Sequence, residues 1–170
     1  GTMVGDDGAG NQIGVAPGAQ WIACAGIGGG DTDTLDCFQF FLTPWDLNGQ
    51  NPDPSKAPHA INNSWYDPSG FDFRPIVQTL NAAGIVVVKS AGNAGPSCTT
   101  ITNPGYVPEI IATAAFGQGD VIASFSSRGP TSNYGETILK PEVAAPGDGI
   151  RSSVPGGGYE GGWSGTSMAA

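Results

Sequence analysis

Positive charge is scarce in this sequence: six Lys and Arg stand against 15 Asp and Glu in 170 residues, a formal net charge of −9. Nucleic-acid binding needs clustered cations to neutralise phosphates, so nucleic acid is not an expected partner. Long apolar runs are missing as well, and none approaches the roughly 20 residues that cross a bilayer. No membrane span is expected, and no signal peptide opens the chain. Cysteine is limited to Cys24, Cys37 and Cys98, at spacings unlike a zinc site, which argues against a metal centre. An odd count leaves at least one unpaired. In an oxidising compartment Cys24 with Cys37 is the preferred pair and Cys98 the free thiol; the alternative is three small buried hydrophobes. Histidine occurs once, as His59.

Glycine and proline are abundant, 28 and 14 residues, while 39% of the chain is hydrophobic, enough for one folded, turn-rich domain. Residues 1 to 19 read as a loop. Gln20 to Cys24 reads as a short strand ended by Gly26 and Gly28 to Gly30. Asp33 is placed to cap a helix that carries Leu35, Phe38 and Leu42 on one face and stops at Pro44. A strand over Ala60 to Trp65 follows, then a helix introduced by Asp72 and Pro75, with Ile76, Val77 and Leu80 inward and Gly84 at its end. Ile85 to Lys89 is unbroken and β-branched, as in a central parallel strand. Further strands are expected at 110–115, 121–124 and 150–154.

This alternation predicts an α/β chain: a doubly wound, mainly parallel sheet with helices on both faces and ligands at the strands' carboxyl ends. There is no internal repeat. Gly8-Ala9-Gly10 and Gly26-Ile27-Gly28 lack the third glycine of a dinucleotide fingerprint, and no Gly-Lys-Ser/Thr is present, so nucleotide binding is rejected. Asp6, Asp7 and Asn11 carry oxygens able to bind calcium, but a solvated turn is the preferred reading.

The stretch Trp163-Ser164-Gly165-Thr166-Ser167-Met168-Ala169-Ala170 runs from glycine and hydroxyl residues into small helix formers. A serine hydroxyl becomes a nucleophile when it sits at an element end beside backbone N–H groups that can receive an oxyanion, and Ser167 suits that role. A Ser/Thr cap of an ordinary helix is the plainer local reading. Asn93, between Gly92 and Gly95 past the central strand, likewise reads locally as a turn residue.

Gly165-Thr166-Ser167-Met168-Ala169-Ala170 resembles the serine motif of the subtilisin-like serine proteases, the subtilases. So do, in family order, Ile13-Gly14-Val15-Ala16-Pro17, Asn62-Asn63-Ser64-Trp65, Ser90-Ala91-Gly92-Asn93, Phe125 to Pro130 and Lys140 to Gly147. Trp21-Ile22-Ala23, the segment from Pro52 to Trp65 and Ile150 to Pro155 resemble one branch of the family in particular. The resemblance runs the length of the chain and implies a secreted, monomeric endopeptidase acting on peptides or proteins. It makes Ser167 the nucleophile and Asn93 the oxyanion donor. Ser64, Trp65 and Tyr66 become the strand that pairs with substrate, and Ala91 and Gly92 the opposite wall of the primary pocket. Tyr66 departs from the family's usual glycine. No cofactor is required; calcium enters only as a structural ion whose ligands the sequence does not identify.

The resemblance also exposes a deficit. Serine acyl transfer needs a histidine base oriented by an aspartate, yet His59 starts a strand at the end away from the expected cleft and lies in no family histidine motif. Gly1-Thr2-Met3-Val4 resembles residues that follow that motif, and the chain stops three residues past Ser167. Residues 1–170 are therefore expected to form a catalytic domain truncated at both ends, without the aspartate and histidine regions and the end of the serine helix. Such a piece is expected to be inactive alone. The rivals are a non-catalytic peptide-binding or scaffold module on the same fold, and a glycine-rich structural domain with an antiparallel sheet.

Overall fold

A computed structural model describes residues 1–27 and 31–170, without the side chains of Asp31 and Thr32. Four strands form one parallel sheet in sequential order: β1 Ala60–Asn63, β2 Val86–Ser90, β3 Ile111–Phe116 and β4 Val143–Pro146. Helix α1 (Asp31–Leu42) precedes β1, and α2 (Arg74–Ala82) joins β1 to β2. The parallel order disposes of the antiparallel structural-domain reading.

Register explains why both faces are covered. Ile61 pairs with Val87, and Ser90 pairs with Thr113. Because side chains alternate along a strand, Ile61, Val87 and Lys89 share one face while Ser90, Thr113 and Ala115 share the other. Against the first face pack Val77 and Leu80 of α2 with Phe38 of α1 and Phe73, all nearly inaccessible. Burying side chains of this size stabilises by about 1.5–3 kcal/mol each. Helix α3 (Thr166–Ala169) lies on the second face: a methyl built on Gly147 would sit 2.6 Å from Ala115 Cβ and 3.1 Å from Ala169 Cβ. Glycine at 147 lets α3 approach the sheet.

Helix α2 begins as its sequence predicts. Pro75 occupies its first turn, the Asp72 carboxylate accepts from Arg74 N at 3.0 Å, and Gly84 beyond the end takes φ +85. Helix α1 instead starts at Asp31, which puts Asp33 inside its first turn rather than at the cap. Gly28 to Gly30 lie outside the described residues. A disulfide joins Cys24 to Cys37 of α1, with Cα atoms 5.6 Å apart, and Cys98 is free and exposed.

Two expected strands do not form. Gln20 to Cys24 has no paired neighbour, and Trp21 remains 70% exposed; an apolar stretch is a strand only when another offers it a ladder. Val121 to Ser124 makes a single antiparallel bridge, Phe116 to Ile122, because the turn through Asp120 leads the chain away after one pair. Two strands are additional. Strand β4 carries Pro146 at its end, as an edge strand tolerates. It is held by Lys140 Nζ donating to Ile110 O at 2.6 Å and by Glu142 Oε2 accepting from Ala112 N at 2.7 Å. Strand β6 (Gly158–Trp163) pairs antiparallel with β5 (Ile150–Val154), and this hairpin stands apart from the main sheet. Its loop needs glycine, since Gly156 and Gly157 have φ of +90 and +83. No helix among the described residues is long and apolar enough to cross a membrane.

Candidate active site

Three segments converge at the carboxyl ends of the central strands: 64–66 after β1, 90–93 at the end of β2, and 165–167 at the start of α3. They enclose a cavity of about 380 Å³ whose wall includes Ser64, Trp65, Tyr66, Gly92, Asn93 and Ser167. This is where a parallel sheet of this type places its ligands.

Thr166 fixes the arrangement. Fully buried, it donates from both its N–H and its Oγ1 to Asn93 Oδ1, each at 2.9 Å, and its Oγ1 accepts from Gly92 N at 3.2 Å. With Oδ1 occupied by two donors, the Asn93 carboxamide is held by its oxygen and left with Nδ2 to offer. A methyl built on Gly165 would lie 3.6 Å from Asn93 Nδ2 and 3.7 Å from Ser167 N. Both N–H groups therefore border one small space, which the missing side chain of Gly165 keeps open.

Ser167 is half-buried at the start of α3. Its hydroxyl donates to Ser64 O at 3.4 Å, beyond the usual O–H···O range and so weak. In return Ser64 Oγ donates to Ser167 O at 3.2 Å. The Ser167 hydroxyl is thus held only by weak contacts with the 64–66 segment, and its proton is committed to no strong acceptor.

The residues expected on the substrate side divide by their placement. Trp65 lines the cavity and is anchored in the core, its ring 5.5 Å from that of Phe73 and its Nε1 donating to Asn63 Oδ1 at 3.2 Å. Tyr66 is 65% exposed at the rim. Gly92 lines the cavity with φ +110, and a methyl there would meet Ser127 Oγ and Thr102 Oγ1, each at 2.8 Å. Ala91 is the correction to the expected wall. It is fully buried behind it, donating to Thr113 O at 3.0 Å and accepting from Thr102 N at 3.1 Å.

Sequence reasoning missed Thr166, Lys89, Ser90 and Thr102. Lys89 had a visible signal: a cation closing a β-branched, buried run. It and its neighbours line the cavity. Lys89 is inaccessible, and burial alone pulls its ammonium down to about 7. Its Nζ donates to Ser90 O at 2.6 Å and Ser90 Oγ at 2.9 Å, and no bond joins it to Ser167. His59 is exposed at the entrance to β1. Of the calcium candidates, Asp7 spends its carboxylate on Ala9 N, Asn11 N and Asn11 Nδ2, which holds it down at about 2.

Fold and cleft together define an α/β chain that brings a helix-start serine and an oriented carboxamide to one cavity at the strands' carboxyl ends. The chain matches the subtilase family over residues 1–170 and belongs to it. It is 49% identical to bacillopeptidase F of Bacillus subtilis over 181 aligned residues, covering 99% of this chain and 12% of that protein. Subtilisin E of the same species is 35% identical over 160 residues, covering 92% of this chain and 37% of the relative. Among solved structures, sphericase superposes with a TM-score of 0.55 at 34% identity, covering 65% of this chain and 38% of its own. The chain thus spans well under half the length of these relatives.

Proposed function

We propose that this chain carries the nucleophile and the oxyanion site of a secreted, subtilisin-type serine endopeptidase. The observation that carries the proposal is the cavity that Ser167 and Asn93 both line, with Asn93 Nδ2 and Ser167 N bordering a single space beside Gly165. A peptide lies along residues 64–66 by strand addition, its side chain entering between that segment and Gly92. A base takes the Ser167 proton as Oγ bonds to the peptide carbonyl carbon, and the oxyanion accepts from Asn93 Nδ2 and Ser167 N. The C–N bond then breaks, the base returns the proton to the departing amine, and water repeats the sequence on the ester.

The base has to come from outside these residues, because the sequence holds one histidine and it stands at the wrong end of β1. The 170-residue chain alone should therefore hydrolyse peptides far more slowly than the full-length protein. The chemistry requires no cofactor, and any calcium would be structural. The Cys24–Cys37 bond supports an oxidising, extracellular setting.

A serine-directed fluorophosphonate applied to the full-length protein tests the proposal. The expected adduct is on Ser167 and is abolished by Ser167→Ala. A full-length protein that takes no label overturns it and leaves the non-catalytic peptide-binding reading.

A further inference from the structure

The mechanism leaves one charged group of the cavity unused. Lys89 starts on the sheet face that carries Val87 and bends over the end of β2, so that its Nζ reaches Ser90 O and Ser90 Oγ. Among the described residues it forms no ion pair, and the only other titratable side chain on the cavity wall is Tyr66. A buried ammonium without a counter-ion is costly. Two of its three protons are used, both on one neighbour.

Ser90 converts that burial into a directed donor. Its Oγ accepts from Lys89 and donates to no acceptor among the described residues, which leaves its own proton for the cavity. Thr102 lines the same wall, and its hydroxyl donates only weakly, to Ala91 O at 3.5 Å. Two hydroxyls with protons to give, one backed directly by a cation, form a receptor for an anion.

We propose that this cavity selects peptides with an acidic side chain on the acyl side of the cleaved bond, its carboxylate bound by the Ser90 hydroxyl and compensated by the Lys89 ammonium behind it. This deepens, and rests on, the protease reading. Lys89 acts through Ser90 and is a positioning and specificity residue, not a catalytic one. Bound carboxylate supplies the missing counter-charge and favours the protonated lysine, whose ordinary range is otherwise lost to desolvation. The net charge of −9 opposes an acidic substrate only at long range, where salt screens it beyond about 8 Å.

The test compares peptides differing only in Glu, Gln or Leu at that position, with the full-length protein. Turnover should favour Glu over Gln on the order of 10- to 100-fold, as a charge-assisted bond implies. Because the ratio cancels the titration of the catalytic base, it should fall as pH rises from 6 through about 7 to 9. Lys89→Met and Ser90→Ala should each collapse it towards unity while Leu turnover persists. Affinities of the same peptides for Ser167→Ala give a readout independent of catalysis. Turnover without Glu preference, or a preference that survives Lys89→Met, overturns the lysine assignment and leaves the protease reading standing. Glu-selective binding without turnover of any peptide does the reverse, and neither binding nor turnover overturns both.

Discussion

Thr166 shows how much of the site rests on a residue that is fully buried. Its hydroxyl is bonded at once to Asn93 Oδ1 and Gly92 N. Thr166→Val keeps the shape and removes both bonds, leaving a buried N–H unpaired at about 1–3 kcal/mol. Urea unfolding of the full-length protein should show that loss, and kcat/KM should drop about tenfold or more as Asn93 loses one of its two anchors. Thr166→Ser, which retains the hydroxyl, should restore most of both. Lys89 gives a second prediction at this scale. With its folded value near 7 and its unfolded value near 10.5, the unfolded chain holds more protons between those limits. Stability must therefore rise with pH from about 7 towards 10.5, and below 7 the full cost of burying the charge persists. Denaturation across that window should show the slope in the native sequence and its absence in Lys89→Met. Ser167 and Asn93 were legible because their motifs are spelled in consecutive residues. The role of Thr166 was not, because it depends on a partner 73 residues away.

At the scale of elements, the disulfide is the feature that local packing does least to replace. Residues 20–27 have no ladder, so the bond from Cys24 to Cys37 is their main tie to α1, with a weak hydrogen bond from Thr34 Oγ1 to Gly26 O at 3.4 Å beside it. A cross-link between positions 13 apart removes about 3 kcal/mol of unfolded-chain freedom. Cys24→Ser, or reduction by dithiothreitol, should lower the stability of the full-length protein by about 2–3 kcal/mol in urea titrations, with Cys98→Ser as the control that changes nothing. Elements whose own residues decide them were readable: β2 from its β-branched run, α2 from Pro75, its inward apolar spacing and Gly84. Strand β4 was hidden by Pro141 before it and Pro146 at its end, and β6 by its glycines, residues that speak for turns until a partner strand is present. The reverse error, at 20–24 and 121–124, has the same origin, since apolar composition cannot announce whether a neighbour exists.

For the whole molecule, the decisive fact is the direction of a parallel sheet. Every strand of it delivers its carboxyl end to one side, which gathers Ser64, Ser90 and Asn93 within reach of α3, while residues entering the strands are carried to the opposite side. His59 enters β1 and Ser64 leaves it, so about 17 Å of extended chain separates them. A general base must lie within about 3 Å of the hydroxyl it deprotonates, or one water away. His59→Ala in the full-length protein should therefore leave kcat/KM within about twofold of the native value, and its pH profile unmoved. Ser167→Ala, assayed alongside, should abolish turnover. A loss of a hundredfold or more in His59→Ala, with the fold intact by circular dichroism, would require the histidine to reach across the sheet, and no rearrangement that preserves the Ile61–Val87 register allows it.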